Sequence, residues 1–564
     1  MKELKNIVRS RAQESSSAVE RLYITMRHLF NRGFYKPMGV SGETLREALL
    51  ALRPEIYGSI AGEKVELNGL LYVIERLPVG IEECRFINLT SDEGYSKSHF
   101  KAIIPPKRKR NCYRIDDEQM NVEITRGRSD IYDILTHLTF LFIESHKIKN
   151  RALLDENTGE VSRDWQKLGE VVENGEPLEL AEREQAMSHA ANLLGRSFSE
   201  IIEIYDGFGT TEKPDRFIHV IYWLGKLAIE ELIENNKRTI SFSPILRERL
   251  GHHIHGEIWA NNIKTILRDN NLLNRPIHII SANMHSVMNS LFATHLLKTK
   301  FKDKSDFVIY EELSRSGADA LRKPVEKFAT EHGMISLPDT SGTNIDVQIF
   351  DTEKIDWKNS SFPNANVSGE NPVIIVMDYA FGEQAYETID ELLKPFQESK
   401  NQRTLLNVVS VSIMGKAGIL EGGKGDIMIP SAHINEGTGD NYPFENELTL
   451  DMFEGNDIPV YAGPMVTVLG TSLQNRDLLT FFNKSTWGVI GLEMEGAYYQ
   501  KAIQSASKIR KSINPDVKVR YAYYASDNPL ETGSTLASGG LGTTGVKPTY
   551  LITIKILEQI LNSK

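Results

Sequence analysis

From Pro276 onward the sequence alternates short apolar runs with amphipathic stretches, and this alternation constrains the fold more than any other feature. The runs IHIISA (277–282), FVIYEEL (307–313), NIDVQIFD (344–351), PVIIVMD (372–378), NVVSVSIM (407–414), GDIMIPSAHI (425–434) and VKVRYAYYAS (517–526) read as strands. MHSVMNSLFATHLL, EQAYETIDELLKPF and YLITIKILEQIL have helical spacing. Strands interleaved with helices specify an α/β domain, a largely parallel or mixed sheet flanked by helices. Ligands of such sheets bind where strands end.

The preceding region, residues 1–270, reads as mostly α-helical. Val19, Leu22, Met26 and Leu29 recur at helical spacing, as do the apolar residues of DIYDILTHLTFLFIESHK and RFIHVIYWLGKLAIEELIENN. ELNGLLYVIERLP and ECRFINLT look like short strands of a small mixed element. The basic run Pro105-Pro106-Lys107-Arg108-Lys109-Arg110 is either a solvated loop or a phosphate contact. His252, His253 and His255 are either incidental imidazoles or metal ligands. This region carries no internal repeat, and its role is open between regulation and oligomerisation.

Net charge is −11 without long single-sign runs, which disfavours nucleic-acid binding through a broad basic field. Only Cys84 and Cys112 occur, too few for a disulfide framework, so a reduced, cytoplasmic setting is expected. The polar N-terminus lacks the apolar stretch of a signal peptide. No run of about 18 apolar residues suggests a membrane span.

The polar residues at the strand ends are unusual. NVVSVSIM runs into Gly415-Lys416-Ala417-Gly418, where glycines permit close backbone approach to a ligand and Lys416 offers a point charge, or where the chain simply turns. The apolar run 489–492 ends in Glu493-Met494-Glu495-Gly496. Buried carboxylates need partners, and adjacent sugar hydroxyls are one choice, an internal ion pair another. VRYAYYA ends in Ser526-Asp527-Asn528-Pro529, so Asp527 is either a desolvated acid or a turn residue.

In order, G-K-A-G, G-D-I, E-M-E-G and S-D-x-P-L resemble the nucleoside phosphorylase and nucleosidase superfamily, and within it AMP nucleosidase. The resemblance covers about half the chain, making residues 271–564 a catalytic domain. It includes MDYAFGEQAYETIDELL, AGPMVTVLGT, the glycine-rich segment 533–547 and the terminal helix. It implies hydrolysis of the N-glycosidic bond of a purine nucleotide or nucleoside, releasing base and ribose or ribose phosphate through an oxocarbenium-like transition state. By resemblance Asp527 is the acid near purine N7 and Ser526 orients it. Glu495 binds the ribose hydroxyls, Met494 packs under the sugar, and Glu493 organises the segment. Gly415 and Lys416 meet the substrate, Lys416 at a 5′-phosphate, and Thr467 lies near sugar or phosphate. No metal or cofactor is implied. A homo-oligomer is, because family members often complete their sites across a subunit interface.

Two departures bear on the reaction. Phosphorylases of this superfamily carry an Arg two residues before the glycine turn and a Ser within it; here Ile413 and Lys416 stand there, favouring water over phosphate as acceptor. Small nucleosidases carry a Glu cluster after the first strand; here Ser281-Ala282-Asn283-Met284-His285-Ser286 follows, and His285 either positions water or phosphate or is an inert helix-face residue. A phosphate-dependent phosphorylase and a nucleotide-sensing module without turnover are the competing readings.

Overall fold

The computed structural model describes residues 2–108, 110–175, 178–302, 304–365, 367, 371–399, 402–531 and 542–562, with side chains from residue 11 onward. Lys109 of the basic run and residues 533–541 of the glycine-rich segment lie outside the described residues. The chain forms two compact units: Met1–Thr125 with Asp130–His252 and Ser472–Leu478, and Arg126–Ser129 with His253–Thr471 and Leu479–Lys564.

The first unit is mostly helical, as its periodicity predicts, and also holds a six-stranded sheet. Its strands run in the order Phe34–Tyr35, Thr239–Phe242, Phe86–Thr90, Gln119–Glu123, Cys112–Arg114 and Ala102–Ile103. ECRFINLT supplies a strand of it, but ELNGLLYVIERLP does not: Leu67–Ile74 is a helix. Leu67, Leu70, Tyr72, Val73 and Ile74 are all buried, so the helix is apolar on most sides and its period is masked.

Two cations of the basic run, Arg108 and Arg110, are paired within the unit, whereas Lys107 is exposed. Arg110 is buried and pairs with Asp130 at 2.6 Å and Asp133 at 2.5 Å, and Arg108 reaches Asp133 at 2.9 Å. These charges are neutralised within the unit. Arg110→Met removes the buried cation that Asp130 and Asp133 share and is expected to destabilise this unit by about 3–5 kcal/mol. A lower denaturation midpoint for the full chain checks this.

The second unit is the mixed α/β domain. Its sheet runs Met334–Leu337, Val347–Asp351, Val373–Met377, Ile277–Ser281, Val408–Ile419, Gly491–Glu493, Val460–Thr467, Ile427–Asn435 and Asn441–Pro443. Lys518–Asp527 pairs in parallel with Val408–Ile419 and antiparallel with Ile427–Asn435. A ring therefore closes through Val408–Ile419, Gly491–Glu493, Val460–Thr467, Ile427–Asn435 and Lys518–Asp527. The central strands Ile277–Ser281 and Val373–Met377 are buried along their whole length, which is why they read as continuous apolar runs.

Helices cover both faces. Ile254–Asp269, Gln384–Leu392 and Gly496–Gln504 bury Trp259, Ile389 and Tyr499 against Ile279, Val411 and Tyr521. Met284–Leu297 and Val546–Leu561 bury Leu291 and Ile556 against Ile280, Met414 and Ala522 on the other face. Ile254–Asp269, read from sequence with the N-terminal region, belongs by its packing to this unit. The histidines at its start do not form a metal cluster among the described residues; His255 Nδ1 lies 2.7 Å from the Ser341 carbonyl.

Two sequence expectations fail here. FVIYEEL is not a strand but the helix Asp306–Ser314, burying Ile309, Tyr310 and Leu313 at helical spacing. Its β-branched and aromatic composition imitates a short strand. Gly415-Lys416-Ala417-Gly418 is not a turn but continues the strand Val408–Ile419. Gly415 is in register with Tyr523, Lys416 with Tyr524 and Gly418 with Asp527 and Leu492. Pairing with Lys518–Asp527 along the whole segment, and with Gly491–Glu493 at Gly418, occupies one side of the backbone that a ligand-gripping turn would leave open.

Candidate functional site

The ends of three paired strands bring most of the predicted residues together. Gly491–Glu493 ends in Glu493, Val460–Thr467 in Thr467 and Lys518–Asp527 in Asp527. Glu495 caps the helix Gly496–Gln504, and half-buried Met494 lies between the two glutamates.

Glu493 is almost completely buried and fully engaged. Its Oε1 accepts from Thr467 Oγ1 at 2.5 Å and lies 3.2 Å from His433 Nδ1. Its Oε2 accepts from the N–H groups of Glu495 and Gly496, each at 2.5 Å. Thr467 Oγ1 also accepts from Ala497 N at 2.8 Å. Glu493 and Thr467 thus tie the start of the helix to the strand ends and shape the backbone that carries Glu495. The neighbouring glycine is required by close approach: a Cβ on Gly496 would stand 2.3 Å from the His433 ring.

Glu495 Oε1 accepts from Gly382 N at 2.9 Å. Gly382 has φ of 57°, which favours glycine, and this aims its N–H at the carboxyl. The glycine before Glu383 therefore serves a carboxylate of the protein itself. Burial and then the nearby charge of Glu493 push the Glu495 carboxyl up to about 8, against the opposing N–H groups of Gly382 and Met494 and the charge of Lys416.

Asp527 is buried. Ser526 Oγ donates to its Oδ1 at 2.5 Å and lies 3.1 Å from the Ala417 carbonyl, whereas Oδ2 is buried without a hydrogen-bond partner. Burial raises its carboxyl above the usual range, against Ser526, Lys416 and Lys424. Lys416 thus acts electrostatically on both Glu495 and Asp527 while remaining exposed. Gly415 lies beside the Tyr379 ring, where a Cβ would make an ordinary contact at 3.5 Å.

His285 is not brought to these carboxylates by any contact. It is exposed in the first turn of Met284–Leu297 and lines a cavity with Tyr524, a residue of the strand that ends in Asp527. Sequence reasoning missed His433 and Tyr379; it marks Gly382 as a strand-to-helix turn that favours an anion, but not Glu495 as the partner of its N–H. A lone histidine inside an apolar strand and a glycine before a helix carry no signal of the partners that folding brings.

Glu387, on the helix that follows Gly382, is buried with Oε1 unpartnered. Burial, then the charge of Glu383, pushes its carboxyl up to about 8. A carboxyl raised in the folded state holds a proton that the unfolded chain has released, so stability falls as pH rises from the ordinary carboxylate range to about 8. Glu387→Gln is expected to raise Tm at pH 8 and leave it nearly unchanged at pH 4, by about 2–4 °C per kcal/mol relieved. Thermal melts at the two pH values check this.

The fold and site define a mixed-sheet α/β protein with two raised carboxyls at the ends of its strands. The chain belongs to the family described as "Family of unknown function (DUF6909)", whose model matches residues 43–301 and 303–562. No curated protein matches the sequence. Among solved structures the chain is similar to a 5′-methylthioadenosine/S-adenosyl homocysteine nucleosidase of Campylobacter jejuni, at 11% identity over 51% of this chain and 99% of that one, with a TM-score of 0.30. A mutant futalosine hydrolase of Helicobacter pylori matches at 12% identity over 50% of this chain and 99% of its own, with a TM-score of 0.29. Uridine phosphorylase of Schistosoma mansoni, in complex with thymidine, matches at 12% identity over 51% of this chain and 87% of its own, with a TM-score of 0.30.

Proposed function

We propose that this protein is a purine nucleotide or nucleoside N-glycosidase, AMP nucleosidase-like, that uses water to release the free base. The observation that carries the reading is Asp527: a buried carboxyl with a raised pKa, one oxygen held by Ser526 and the other unpartnered. Such a group retains a proton at higher pH than an ordinary aspartate and has a free oxygen from which to give it. In the proposed reaction the bond from C1′ to the purine breaks, its electron pair goes to the base, and Asp527 protonates N7. Water adds to C1′, and its proton restores Asp527.

Glu495 suits the ribose. Its carboxylate can accept from the 2′ and 3′ hydroxyls, and Gly382 and Glu493 set its position. Water is favoured as acceptor because Ile413, at the position of the phosphorylase arginine, is a buried core residue and supplies no cation.

The test is to incubate the full chain with AMP, adenosine and inosine, with and without phosphate, and to resolve free base by chromatography. Base released without phosphate is expected. Release only with phosphate overturns hydrolysis in favour of phosphorolysis. Binding without release from any substrate overturns the enzyme reading in favour of a sensor.

A further inference from the structure

The second unit contains a cavity of about 330 Å³ beside the strand that carries Asp527. This is within the range of small-molecule sites, about 300–1,000 Å³. None of its described lining residues is acidic. Its polar wall comes from Asn283, His285, Asn289, Arg322, Tyr524 and Thr549.

Three features give the cavity a positive character. The first is Arg322, whose guanidinium is held by the carbonyls of Leu313 at 2.7 Å and Arg315 at 2.6 Å. These bonds use Nε and Nη2; among the described residues Nη1 has an ion-pair contact with Asp319 alone, at 3.6 Å, on a side chain that is 73% exposed. The second is the start of Met284–Leu297, where Asn283 and His285 line the wall, Asn283 Oδ1 accepts from His285 N at 3.0 Å and no acidic residue stands in the first turn. The third is the start of Val546–Leu561, with Gly545, Val546 and Thr549 in the wall. That helix has neither a side-chain cap nor an acidic residue in its first turn. Two helix N-termini at one cavity add their partial positive charges to that of Arg322.

An independent observation shows that this wall lacks a partner. Asn289 is 3% exposed, lines the cavity, donates from Nδ2 to Tyr550 Oη at 2.8 Å and has Oδ1 without a hydrogen-bond partner. Tyr550 is itself held by a stacked Tyr310, with ring centroids 3.8 Å apart. A tyrosyl hydroxyl can donate as well as accept, so rotating the amide keeps the bond to Tyr550 and turns the NH2 toward a ligand. A buried amide with an unused polar atom calls for a ligand group that bonds to it.

We propose that this cavity binds a phosphate group, with Arg322 Nη1 and Asn289 as its donors and the two helix N-termini adding partial positive charge. That the group is the 5′-phosphate of a nucleotide rests on the glycosidase reading; the anion site does not. Tyr524 joins the two places, because it lines the cavity and lies on the strand that ends in Asp527. The phosphate then falls to Arg322 rather than to Lys416, which is absent from the described lining of the cavity.

Calorimetric titration of the full chain with ribose 5-phosphate, ribose and inorganic phosphate tests the site without turnover. Ribose 5-phosphate is expected to bind at least about ten-fold more tightly than ribose, the scale of one charge-assisted contact. Arg322→Gln should abolish that preference and Arg322→Lys, which keeps the charge without the fork, should restore part of it. Asn289→Leu, compared at equal Tm, should weaken both phosphate probes and spare ribose. Inorganic phosphate that competes with AMP but not with adenosine marks a 5′-phosphate; inorganic phosphate that binds alongside AMP marks a free phosphate. Phosphate probes that fail to bind the wild-type chain, or that bind Arg322→Gln equally well, overturn the site. The glycosidase reading fails separately, by absence of base release.

Discussion

Asp527→Asn is expected to lower base release by about 10²–10⁴-fold, the usual contribution of a positioned general acid, with substrate affinity preserved to within a few-fold. The substitution is isosteric, and Ser526 Oγ can donate to the amide oxygen as it does to Oδ1. The site therefore keeps its shape while losing the proton at the oxygen that is unpartnered in the free protein. Single-turnover base release and equilibrium binding, measured on the same preparation, separate the two effects. A rate equal to that of the wild type would remove Asp527 from the reaction. Because burial raises this carboxyl, activity should persist above the ordinary aspartate range and decline as pH rises through the raised value.

Glu495→Gln should act mainly on binding, and in a pH-dependent manner. With its carboxyl held at about 8, Glu495 is mostly protonated at pH 7 in the free protein. Two ribose hydroxyls donate to the ionised form and favour it, so substrate binding should release a proton. Affinity should then rise with pH toward about 8 and level off above it. The variant should lose about 10–100-fold in affinity at pH 9, the scale of one or two hydrogen bonds to a charged group, and less at pH 6, where the wild type is already neutral. Titration at pH 7 in two buffers of different ionisation enthalpy reads the released proton directly. No proton release, with the ribose bound, would exclude Glu495 as acceptor from the diol.

Much of the second unit was legible in the sequence because its strands are buried and apolar and end abruptly in polar residues. Ile277–Ser281, Val373–Met377, Ile427–Asn435 and Lys518–Asp527 lie where their composition places them, and Glu493 and Asp527 stand at strand ends. The failures have local causes. FVIYEEL carries strand-forming residues in a stretch too short to show a period, and packing made it a helix. Gly415-Lys416-Ala417-Gly418 carries turn-forming residues, yet Tyr523, Tyr524 and Asp527 on the adjacent strand hold it extended. Propensity decides a segment only where no neighbour offers a ladder.

The sequence by itself determined the alternation of strands and helices, the ends at which polar groups gather and the chemical types of those groups. All three are encoded within a few residues of one another. Only the tertiary structure decided how each group is tuned. Gly382 N–H meets Glu495 across 113 positions and Ser526 reaches Ala417 across 109. His433 approaches Glu493 only because Ile427–Asn435 and Gly491–Glu493 both pair with Val460–Thr467. Glu495 and Asp527 are ordinary carboxyls in the chain. The water excluded by the packed strand ends raises them, and desolvation is a property of the folded surroundings that no local pattern records.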